Sequence, residues 1–582
     1  MRKAILVTLF VAVMAWPGKV SAQLFSVGDY DFNLTESLYF DWHRNESFSY
    51  VNDQFKAIPG KYDFYDLKNR LNFSARSRWL QAGLRLDVAG FIGPGSDPAK
   101  QAFQDSYGQG HSIASANTDV RLEKIYARMR FGPAGVEVGD IYGCLGKGIA
   151  LCVKKVDELS TDTSLRGLKA YYNSRLFGGT LMAGLGNTIN VGDTIEEFLP
   201  DPNDFVGGIE ARVSPVWWMK LTAHGSLLVD RQAIREGMGS DIEVPGWIAA
   251  PDFDDKDIIR RDLLAVIGPT LSFPDIFGHG SFFVEYDAML QTWAEGDPAD
   301  HPDSLAGQVL YSTGTFDWKI LHLMVELKWY DSHLDEALSE TNLMGTEVEG
   351  PSGPSGESEF VYYGVLPPVD DESLLFRNDR PYDVVGGRVR ADVEIPPVTG
   401  VVFASFTDFE DTDLGPALAN DYFIRHIKVG WEQRLDDYSI IANASGGYRQ
   451  ELFHSVRENM WHAEGDVHFP IWGPLAMELA GRYEAYDRPV EEISYQLSQA
   501  AATLSLAPWL GLTFTHEFSD QVTADKSTSG HFYNVEVIYR FMSGSYVKVF
   551  GGSSRGGLKC AGGMCRTFPP FEGVKGELTL RF

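Results

Sequence analysis

Hydrophobic and polar residues alternate along most of this chain. In "MWHAEGDVHF", Trp461, Ala463, Gly465, Val467 and Phe469 fall on one side of an extended strand. His462, Glu464, Asp466 and His468 fall on the other. After "PIWGP" the pattern resumes, with Leu475, Met477, Leu479 and Gly481 opposite Ala476, Glu478, Ala480 and Arg482. "KILHLMVELKW" sets Leu321, Leu323, Val325, Leu327 and Trp329 against His322, Glu326 and Lys328. Period-two alternation predicts strands with one apolar and one polar face. From about residue 30 onward the same unit recurs, strands of roughly ten residues or a few more joined by connections that alternate between short and long.

The short connections include 77–79, 132–135, 214–218, 273–278, 315–318, 395–400, 434–438, 470–474, 507–511 and 542–545. The long ones include 90–118, 230–258, 293–304, 332–380 and 553–572, and are rich in Gly, Pro and Asp. Several short turns carry tryptophan, at Trp79, Trp217, Trp218, Trp318, Trp472 and Trp509. Tryptophan at one level of many strands is an interfacial girdle. The expected fold is therefore all-β: a single large transmembrane antiparallel up-and-down barrel over residues 23–582. It has short periplasmic turns, long extracellular loops and roughly 24 strands, within a range of about 22–26.

Both chain ends fit that reading. Arg2 and Lys3, the apolar run "AILVTLFVAVMAW" and the small-residue site "VSA" describe a cleaved secretory signal over residues 1–22. No later stretch supplies roughly 18 consecutive apolar residues, so helical spans are not expected. The last residues, "VKGELTLRF", alternate strictly and end on a carboxy-terminal phenylalanine. A closing strand needs an apolar outer face and a polar inner one, because every backbone group in a bilayer must find an internal partner. Leu578, Leu580 and Phe582 supply that outer face and resemble the sorting signal that barrels present to their assembly machinery. The cell outer membrane of a Gram-negative organism is the expected location, with lipid and lipopolysaccharide as neighbours and nucleic acid excluded.

Two stretches, "VGDIYGCLGKGIAL" (138–151) and "LSTDTSLRGLKAYY" (159–172), resemble an uncharacterised Gram-negative barrel family catalogued only as a domain of unknown function. The whole mature chain resembles bacterial outer-membrane, porin-like barrels. The resemblance implies the fold and no activity, ligand or catalytic residue.

Cysteine and charge add detail. Cys144 and Cys152 flank "LGKGIAL", and Cys560 and Cys565 bracket "AGGM". Export makes both pairs candidate disulfides. The region 138–163 is apolar and glycine-rich, unlike the other long loops. It reads either as a loop folded into the lumen, clipped by the disulfide, with Lys147 at a constriction, or as a plain extension of two strands. Asp252, Asp254, Asp255 and Asp257 lack the glycine and terminal glutamate of a calcium loop and read as solvated charge. Inward-facing charges include Arg388, Arg390, Arg434, Glu464, Arg482, Arg540 and Arg581. They suit a polar wall or a charged pore. The formal net charge is −30, with carboxylates concentrated in the long loops.

No cofactor, metal or catalytic site is expected, since no serine–histidine or histidine–carboxylate constellation stands at motif spacing. The leading function is a porin-like channel for small solutes, restricted by inward-folded loops, chiefly 138–163 and 332–380. An energised receptor is disfavoured, because alternation begins near Asp31 and leaves no room for an amino-terminal plug. The alternative is a sheath for a partner, such as an electron-conduit cytochrome or a secretion component. The chain has no CxxCH motif, so any haem would belong to another protein.

Overall fold

The computed structural model describes residues 25–51, 54–92, 118–156, 161–187, 205–229, 260–295, 304–331, 367, 383–411, 423–435, 439–453, 456–490, 492–521, 530–561, 564–568 and 571–582. The signal segment and most of the long loops, including the Asp252–Asp257 cluster, lie outside these residues.

The chain forms a closed antiparallel barrel of 24 strands, each paired with the next in chain order. The first strand is Tyr30–Val51 and the last is Phe571–Arg581. They close on each other with Thr35 opposite Arg581, Leu38 opposite Leu578 and His43 opposite Gly573. The Phe582 N–H donates to the Leu34 carbonyl at 2.7 Å, and the Leu34 N–H donates to the Phe582 carbonyl at 3.0 Å. The terminal phenylalanine thus lies within the seam. Closure leaves no edge strand, which is what a bilayer demands of a β-structure.

Burial is inverted relative to a soluble protein. In Leu321–Asp331 the polar residues Glu326 and Lys328 are 5% and 2% exposed, whereas Leu327 is 55% exposed. The same inversion recurs at Leu181, Ile209, Ile267, Ile427 and Phe514, all exposed on the outer face. An outward apolar band is the lipid-facing surface of a membrane barrel. Trp79, Trp217, Trp218, Trp318, Trp472 and Trp509 all stand exposed at or beside the short turns.

Most short turns fall where alternation breaks, but some are displaced. The strand Ser304–Trp318 runs through the expected turn at 315–318, so the reversal occurs at Lys319, whose φ is 54°. The strand Val456–Trp472 likewise continues through Pro470 before reversing. A further short turn joins Asn173 to Phe177. The opposite end does not carry long loops throughout, since the links after Val51, Phe453 and Arg488 are short. The first two strands run for 22 and 23 residues. A bilayer needs only about 9–11. The hairpin therefore extends well past the membrane, and its unbroken strand character hides the boundary.

The region 553–572 is not a plain loop. It carries a ribbon, Gly557–Ala561 against Met564–Phe568, with Cys560 opposite Cys565 in the backbone register. Their side chains lie outside the described residues.

Candidate functional site

Ala134–Ile141 and Ser164–Asn173 are neighbours in the wall, paired from Ile141 opposite Leu165 to Ala134 opposite Tyr172, and the segment that connects them is unlike the other connections. Gly139 has φ +97°, and a Cβ there would stand 2.0 Å from the Ile125 carbonyl oxygen, so only glycine fits. Next to it, Asp140 accepts the Ile125 N–H at 2.6 Å and pairs with Arg166 at 3.2 Å. After Ile141 the chain leaves the wall and turns inward.

What enters the lumen is a small hairpin. Gly143–Leu145 pairs with Leu151–Val153, and Cys144 is disulfide-bonded to Cys152 across it. Gly146 and Gly148, with φ of 55° and 100°, make the reversal. Leu145, Ile149, Leu151 and Val153 are fully buried. They pack with Met182, Val206, Leu228, Leu264, Val266 and Met289, which point inward from the barrel wall. The alternation predicts a polar luminal face throughout; this part is apolar because the hairpin covers it. Each such buried side chain contributes about 1.5–3 kcal/mol, so the hairpin is held on the wall and does not swing free.

Polar contacts fix its position. The Gly146 N–H donates to Glu210 at 3.1 Å, and the Lys147 N–H donates to Glu285 at 2.8 Å. Ser226 donates its hydroxyl to the Ala150 carbonyl at 2.6 Å. The ammonium of Lys147 lies 4.8 Å from the Phe283 ring centroid, while the residue itself is exposed at the hairpin tip. The second long loop also touches the wall: the Tyr330 hydroxyl donates to the Pro367 carbonyl at 3.1 Å.

Beneath the tip lies a cluster that no sequence motif marks. His224 Nε2 is 2.7 Å from Asp287 Oδ1 and 3.7 Å from Glu285 Oε1, and all three residues are buried. His224 pairs with Gly268 on the intervening strand, where a Cβ would stand 2.5 Å from Asp287 Oδ1. The missing side chain is the slot through which the imidazole reaches across. The available signal was Glu285 and Asp287 two residues apart on one strand, hence on one face. Their partnership with His224 comes only from strand adjacency.

Farther round the barrel the expected charges sit mostly in pairs. Arg388 meets Glu326 at 3.0 Å, Arg390 meets Asp392 at 2.7 Å, and Glu464 meets Lys428 at 2.6 Å. Arg434 lies 3.7 Å from Glu432, and Arg482 pairs with Glu484. Arg390, Lys428, Glu464, Asp466 and Arg482 help line a recess of about 360 Å³. Arg581 lies at the short-turn end beside Gly544, and the Arg540 N–H donates to the Trp509 carbonyl at 2.6 Å.

Residues 494–582 match a family of unknown function (DUF6029). The match covers the carboxy-terminal strands, not the two stretches that carry the resemblance in the sequence. No curated protein matches the chain. Among solved structures, the P pilus usher translocation pore PapC is similar at 8% identity and a TM-score of 0.39, over 94% of this chain and 99% of that one. The siderophore receptor PirA from Pseudomonas aeruginosa is similar at 8% identity and 0.42, over 95% and 80%. The copper transporter OprC is similar at 10% identity and 0.45, over 96% and 81%. Likeness at this level carries no residue-by-residue correspondence.

Proposed function

We propose that this outer-membrane β-barrel is a channel for small water-soluble solutes, narrowed by the hairpin at residues 143–153. The observation that carries the reading is the hairpin itself, clipped by Cys144–Cys152 and seated on the luminal wall. A barrel of this strand number has space for an aqueous lumen that loops can restrict. The remaining wall is lined by paired charges, which suits passage of hydrated solutes. Lys147, exposed at the hairpin tip, is the residue we assign to the constriction. Reconstitution of the purified protein into planar bilayers tests the reading. Discrete conductance steps are expected, and a protein that inserts but never conducts would contradict it.

A further inference from the structure

We propose that His224, Asp287 and Glu285 bind one divalent transition-metal cation beneath the hairpin tip. Their ligand atoms lie within 4.8 Å of one another, and all three residues are buried. A tetrahedral ion held at about 2.0–2.2 Å from nitrogen and oxygen donors sets those donors roughly 3.4 Å apart. The 2.7 Å and 3.7 Å separations bracket that value, so small side-chain shifts admit the ion.

A second observation points the same way. Asp287 Oδ2 is buried and has no hydrogen-bond partner among the described residues. Buried polar atoms normally find partners, and exceptions call for an explanation such as an ion. Two carboxylates face one imidazole, a charge balance that a dication completes. The mixed nitrogen and oxygen set suits zinc and its neighbours better than calcium, which takes six to eight oxygens. The surroundings match a metal centre too. Lys147 N–H donates to both Glu285 oxygens, at 2.8 and 3.2 Å, and so orients that carboxylate. Gly268 leaves the space in which the imidazole meets Asp287. A bound ion would fasten the hairpin to the wall through Glu285.

The test uses the full-length barrel in detergent, stripped with chelator, dialysed against zinc and assayed for bound metal. It reads metal content and not conductance, so its failure is separable from failure of the channel reading. Wild type is expected to retain about one zinc per chain. Asp287→Asn should weaken binding by more than the roughly 10–100-fold typical of outer-shell changes. His322→Ala is the control, because His322 contacts Asp317 and Glu394 at the exposed short-turn end. Loss in D287N with retention in H322A supports the site. No stoichiometric zinc in wild type, equal retention in both variants, or loss in H322A alone overturns it. Zinc-edge X-ray absorption on wild type needs no variant: an imidazole in the first shell is expected, and its absence overturns the assignment.

Discussion

At position 326 one carboxylate serves three partners. It lies 3.3 Å from Lys328 and 3.0 Å from Arg388, and it accepts the Tyr311 hydroxyl at 2.8 Å. All this happens on a wall where Lys328 is almost wholly buried. A buried ion pair adds little net stability, but removing one member leaves uncompensated charge and costs about 3–5 kcal/mol. Glu326→Ala should therefore lower the temperature at which the folded barrel converts to the unfolded band on semi-native gels. An unchanged midpoint would show that water solvates this network freely. Gly208 makes a steric argument of the same kind. A Cβ there would stand 2.7 Å from Leu151 and 2.8 Å from Leu145. Gly208→Leu should wedge the hairpin off its seat, at a cost of about 1–3 kcal/mol for overpacking. Larger conductance steps from a barrel of normal gel mobility are the expected result, and unchanged steps would count against the seat.

Among the elements, the strands were the most legible in the sequence. Alternation follows directly from side chains pointing to opposite faces, so Leu321–Asp331 could be read without a structure. Turn positions were less legible, since Ser304–Trp318 continues its pattern past the expected reversal. The hairpin was half legible. Its cysteines and glycines marked it, but its inward packing depends on Met182, Leu228 and Met289, which come from separate strands. The His224–Asp287 contact was illegible, because barrel adjacency alone joins residues so far apart in the chain. The disulfide gives a prediction at this scale. Replacing Cys144 and Cys152 with serine removes a short-loop crosslink worth about 2–3 kcal/mol. The loss should fall on the hairpin, so proteolysis within 143–153 should quicken while the barrel's melting midpoint stays put. A lowered midpoint would mean that the hairpin braces the wall.

The whole molecule carries a formal charge of −30, with many carboxylates in the long loops. Carboxylates ringing a mouth attract cations, and a low-dielectric rim focuses their field. Salt must weaken the effect, since the Debye length is only about 8 Å near physiological ionic strength. A weak cation preference at low salt, fading at high salt, is expected from reversal potentials under a potassium chloride gradient. Anion preference at low salt would show that luminal arginines such as Arg388 and Arg390 set the barrier. Replacing residues 144–152 with a short glycine–serine link would remove the inward hairpin from the channel and leave the barrel strands intact. Single-channel conductance of this variant and of wild type would be compared in the same bilayer. A clearly larger step is expected for the variant, and equal steps would show that the hairpin does not narrow the channel.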